Sequence, residues 1–174
     1  DIGPFGALTV DAGFTDDARR SPAPDPALLA GARLRELLRL RGIVTTGDVV
    51  HGTQASNARE IAHVDSQPLD AIIADMLATS NNYTAEMLTR ELGRARAQDG
   101  STAAGTAAIA SVLTSLGVPT SGMTLHDGSG LAPDDRVSCT TLLSALELRT
   151  RAPFTAIDKG LPVAGRSGTL IARF

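Results

Sequence analysis

Ser80-Asn81-Asn82 sets a hydroxyl beside two amides, between two segments whose apolar residues recur at helical spacing. A tight helix-to-helix corner of that kind can present a serine and an amide to a cleft from a rigid scaffold. The plainer reading is a capping corner, because serine and asparagine are favoured where helices begin. A second cluster, His126-Asp127-Gly128-Ser129-Gly130-Leu131, invites a nucleophile elbow with its triad partners adjacent. That pattern needs glycine two residues before the serine, where Asp127 stands, and side chains of adjacent residues diverge. A Gly-rich turn explains the cluster as well.

The remaining reactive types are sparse. Lys159 is the one lysine among 16 basic residues, and Cys139 is the one cysteine, so no intrachain disulfide forms. His51, His63 and His126 lack the spacing of a metal-binding motif, so no metal site is expected. Arg166-Ser167-Gly168-Thr169-Leu170 has the outline of a Lys-Thr-Gly strand motif. Gly168 followed by Leu170-Ile171-Ala172 nevertheless reads as the start of a helix.

The elements that must carry these residues follow from periodicity. Ala7-Leu8-Thr9-Val10 and Val49-Val50 are strand candidates, and the stretch from Asp16 to Pro26 is a stiff, Pro-rich linker. A helix spans 27–41 and stops at Gly42. Asp65-Ser66 signals a cap for a helix from Pro68 to about Thr79, with Leu69, Ile73, Met76 and then Ser80 on one face. A second helix, 83–97, turns Met87, Leu88 and Leu92 inward. Ser101 caps a third, 102–116, closed by Gly117. Asp127 to Arg136 is a loop. Ser138 caps a last helix with Leu142, Leu143, Ala145 and Leu146 inside, and 160–168 is a final loop.

A chain of 174 residues, 43% hydrophobic and 20% charged, suffices for one domain with a core. A net charge of −3 and few aromatics argue against nucleic-acid binding. No apolar run approaches the roughly 18 residues of a membrane-spanning helix.

Ser-Asn-Asn-Tyr-x-Ala-Glu-Met-Leu from Ser80, with Asp-Gly-Ser-Gly-Leu from Asp127, resembles the penicillin-binding D-alanyl-D-alanine carboxypeptidases of the peptidase S13 type. Those enzymes use Ser-x-x-Lys, Ser-x-Asn and Lys-Thr-Gly. Only the middle motif stands here, since Ala156 lies three residues before Lys159. Leu161-Pro162-Val163-Ala164-Gly165 and Arg173-Phe174 resemble a family segment ahead of the Lys-Thr-Gly strand, so nucleophile and base are expected outside this chain.

The resemblance implies a mixed α/β fold: the helix-rich part of a serine β-lactamase and penicillin-binding transpeptidase-like fold. Residues 1–51 would be the end of an inserted accessory domain returning into the main domain, and 52–174 the helical lobe. It also implies hydrolysis of peptidoglycan stem peptides through an acyl-serine, acylation by β-lactams, no cofactor or metal, and a periplasmic or envelope location. By position, Ser80 would relay a proton, Asn82 would hold the substrate backbone, and Ser129 and Leu131 would line the cleft rim. Asn81 stands where aspartate is more usual, and Pro133 where an arginine often contacts substrate. A non-catalytic peptidoglycan-binding relative, and an esterase using Ser129 or Ser167, remain as alternatives.

Overall fold

A computed structural model describes residues 2–173, which divide between Val64 and Asp65 into two compact units. In the first, Asp25 accepts the Leu28 N–H at 2.9 Å and Pro26 fills the first turn, so helix α1 spans Pro26–Leu40. Gly42, at φ 79°, ends it. The same Asp25 meets His51 Nε2 at 2.6 Å, which gives that histidine a carboxylate partner.

The expected strand at Ala7–Val10 is absent. The Thr9 hydroxyl closes a local turn onto the Gly6 carbonyl at 3.0 Å, and a 3-10 helix follows at Asp11–Gly13. Val49-Val50 is likewise not a strand, and Val49 instead packs close against Gly31 of α1. The Pro-rich stretch is more ordered than a linker. Phe14 and Pro22 form an antiparallel bridge around a turn in which Asp16 accepts the Arg20 and Ser21 N–H groups. Phe14, Ala23 and Ala30 are the buried apolar residues there.

The second unit is built from helices α2 (Leu69–Thr79), α3 (Asn82–Ala97), α4 (Thr102–Ser115), α5 (Cys139–Glu147) and α6 (Thr155–Gly160). Pro68, not Asp65 or Ser66, takes the N-cap position of α2, and no side chain caps it. Ser101 and Ser138 do cap α4 and α5, through the Ala104 and Thr141 N–H groups at 3.1 Å. Helix α6 had no expectation behind it: its six residues are too few to show a period.

Packing in this unit relies on close backbone approach. A Cβ on Gly93 or Gly105 would overlap the facing helix, so α3 and α4 meet nearly backbone to backbone. Gly160 does the same for α6 on α2, against the Ala74 backbone. The core of this unit mixes small residues with a few larger apolar ones: Thr89, Thr106, Ala108, Val118, Thr141, Leu148 and Ala156 are buried, and so is Glu86. Leu142, Leu143 and Leu146, expected inside, are exposed along one side of α5. No described helix is long and apolar enough to cross a membrane.

Candidate functional site

Helix α2 ends at Ser80, whose backbone is left-handed (φ 55°, ψ 49°), and the Asn81 N–H reaches back to the Met76 carbonyl at 3.0 Å. Glycine normally fills that position, because a Cβ is strained there. Serine in its place stores about 1–3 kcal/mol of local strain, a feature that clusters at functional sites. Asn81 is the N-cap of α3 and its side-chain oxygen accepts the Thr84 N–H at 3.1 Å. Asparagine and aspartate serve that purpose equally. Ser80 is left exposed at the corner, and Asn82, the first residue of α3, is half-buried beside it.

The loop after His126 lies on the same helix. Glu86 is one turn beyond Asn82, and residues four apart share a helix face, with Cβ atoms about 5–6 Å apart. Glu86 is only 3% exposed, and its Oε1 accepts the N–H groups of Gly128 and Ser129, both at 2.9 Å. A Cβ on Gly128 would overlap the Thr89 side chain and crowd the Ala85 carbonyl, so this glycine is required by contact.

Asp127 then clasps the rest of the loop, accepting the N–H groups of Gly130 (2.6 Å), Leu131 (3.0 Å) and Ala132 (2.7 Å). Partial burial pushes the Asp127 pKa up, but the Gly130 and Ala132 N–H groups, the nearby Ser129 hydroxyl and the Leu131 N–H outweigh it. The net pKa lies below the ordinary carboxylate value. That use of Asp127 also disposes of the triad, since its oxygens are engaged by backbone rather than by an imidazole. Asp135 holds the His126 N–H at 2.6 Å, and a two-way Thr124–Arg136 bridge closes the loop base.

The structure thus ties the Ser129 backbone to Glu86, one turn of α3 beyond Asn82. The Ser129 hydroxyl is buried and meets hydrogen-bonding geometry with no described residue, although it lies close enough to Asp127 to affect its charge. Leu131, whose N–H the clasp holds, is 56% exposed. Ser167 is occupied otherwise: its hydroxyl accepts the Val163 N–H at 3.1 Å in a turn before a 3-10 helix at Gly168–Leu170. The segment is no strand, in keeping with the helical start read from its sequence.

Two cavities flank the loop. One of about 220 Å³ lies among Met76, Leu88, Leu92 and Ile109, with Gly128 at its edge. The other, about 330 Å³, is lined by His126, Met123, Leu125 and the Ala103–Ala110 face of α4.

Sequence reasoning assigned no role to Glu86, although one signal was available. It is an acid at an inward position, in step with Asn82 and Thr89, on an otherwise apolar or small face.

Residues 6–174 match the D-Ala-D-Ala carboxypeptidase 3 (S13) family. The chain belongs to this family. It is 34% identical to a D-alanyl-D-alanine carboxypeptidase of Actinomadura sp., over 95% of this chain and 31% of that protein. It is 33% identical to the carboxypeptidase DacB of Mycolicibacterium smegmatis, over 100% of this chain and 38% of the relative. A crystal structure of penicillin binding protein 4 (dacB) from Haemophilus influenzae, complexed with a β-lactam, superposes with a TM-score of 0.74. The identity is 27%, covering 89% of this chain and 38% of that one. The fold is thus the helix-rich part of a penicillin-binding-protein fold. The chain spans about a third of the length of these S13 relatives.

Proposed function

We propose that the protein carrying this chain is a serine-type D-alanyl-D-alanine carboxypeptidase or endopeptidase acting on peptidoglycan stem peptides in the periplasm or cell envelope. The observation that carries this is the strained, exposed Ser80 at the mouth of α3 in an S13 chain. In this reading a serine outside the chain attacks the peptide carbonyl. Its oxygen bonds to the carbonyl carbon, the bond to the terminal D-alanine nitrogen breaks, and water later releases the acyl group. Ser80 passes the proton that the departing amine must gain, which a serine hydroxyl can do as both donor and acceptor. Asn82 holds the substrate backbone by its amide. The loop from Ser129 to Leu131 forms the opposite rim, with Leu131 offering apolar contact. β-Lactams are attacked in the same way and remain bound as acyl groups. Residues 1–51 return from an accessory domain, and 52–174 form the helical lobe.

Labelling of the full-length protein with fluorescent penicillin, read on a denaturing gel, tests the proposal. A covalent band that D-Ala-D-Ala peptide suppresses is expected. No band would leave a peptidoglycan-binding relative without the chemistry, and labelling by a fluorophosphonate alone would indicate an esterase.

A further inference from the structure

Five consecutive backbone N–H groups, from Gly128 to Ala132, end on just two carboxyl groups. Asp127 belongs to the loop itself and can only stiffen it. Glu86 belongs to α3, so it alone of the pair ties the loop to another element. It does so one helical turn from Asn82, and it is almost fully buried. Removing the carboxyl would strand two inward-facing N–H groups, and buried donors left unpaired are costly. The loop would then relax outward from α3, even with Gly128 seated against Thr89.

We infer that Glu86 is a positioning residue. It holds the Ser129–Leu131 rim at a fixed spacing from the Ser80–Asn82 corner, so both walls of the cleft move as one piece. This rests on the reading of the cleft given under Proposed function. Misplacement of a substrate-holding group by about 1 Å is enough to cost on the order of 10²-fold in rate. Glu86 touches no reacting atom in this account. Its effect passes through the two loop N–H groups, and any side chain with an oxygen at that point should serve.

The test uses the full-length protein with E86A, E86Q and T141V. Thr141 is as deeply buried, and its hydrogen bonds go to Ser138 and to the Pro119 carbonyl at 2.6 Å rather than to α3 or the 128–132 loop, so T141V serves as the destabilisation control. Acylation by fluorescent penicillin is resolved into affinity and rate. Amide exchange is followed in peptides covering 128–132. E86A should acylate about 10- to 100-fold more slowly and exchange faster at 128–129. E86Q, which keeps an acceptor oxygen, should recover most of both. T141V should melt earlier without a comparable loss of acylation rate. Acylation unchanged in E86A, or a loss that T141V reproduces at equal melting temperature, overturns the inference. Should the wild-type protein not acylate at all, the proposed function falls. Exchange then decides Glu86 by itself: equal protection at 128–129 in wild type and E86A would refute it.

Discussion

Ser80 is held in a backbone conformation suited to glycine, and the sequence keeps a hydroxyl there regardless. If that hydroxyl relays a proton, S80A in the full-length protein should acylate ~10²–10⁴-fold more slowly, the usual range for a lost acid–base step. S80G should be at least as inactive yet melt no lower than S80A, because glycine relieves the left-handed strain. Equal acylation by S80A and wild type would reject the relay. A lower melting temperature for S80G than for S80A would reject the strain. Asp127 makes a second residue-level prediction. Its folded pKa is depressed, so its stabilising effect is present above the unfolded value near ~3.9 and fades as pH falls through the lower folded value. A carboxyl NMR titration should show a midpoint below ~3.9, and the stability gap between wild type and D127N should close as pH drops through it. A midpoint at or above the ordinary value would contradict the clasp.

At the scale of elements, Thr89 is the meeting point, with Gly105 of α4 pressed on one side of it and Gly128 of the loop on another. The corner and the rim therefore rely on the same short stretch of α3. In G105A the new methyl group would fall on the Thr89 backbone, which cannot swing aside as a side chain could. Overpacking of that kind costs typically about 1–3 kcal/mol, so urea unfolding of the full-length protein should shift by that amount. An unchanged midpoint would mean that α3 and α4 lie further apart than described. The apolar periodicity of α3 made the helix legible in the sequence, and Ser101 and Ser138 announced two helix starts correctly. Local signals failed where another contact competed. Pro68 displaced the Ser66 cap, and Thr9 turned a β-like run into a bend.

For the whole molecule, the apolar side of α5 is the feature least at ease with an isolated chain. Leu142, Leu143 and Leu146 are 53%, 59% and 43% exposed. A contiguous exposed apolar strip promotes association. The 174-residue chain expressed alone should therefore sediment or scatter light as multimers, and L142K with L146E should shift it toward the monomer. The same preparation should not label with penicillin. It carries no Ser-x-x-Lys, and a serine hydroxyl with no base is a poor nucleophile at neutral pH. A covalent penicillin band on this chain alone would place the nucleophile within it.

The sequence by itself determined the family, through the residues following Ser80 and the run from Asp127. It also determined the helix order around the corner, because hydrophobic period and capping residues act locally and need no distant partner. Tertiary structure decided the rest. It made Asp127 a backbone clasp rather than a triad acid, turned Glu86 inward to hold a loop far along the chain, and left the α5 leucines exposed rather than inside. The Asp127 clasp is a local backbone geometry, whereas Glu86 and the α5 leucines depend on which surfaces meet across long separations, and a spacing of apolar residues carries no record of either. The left-handed Ser80 shows the same division. Its position at a helix end was legible, but its strain appeared only where α2 had to turn into α3.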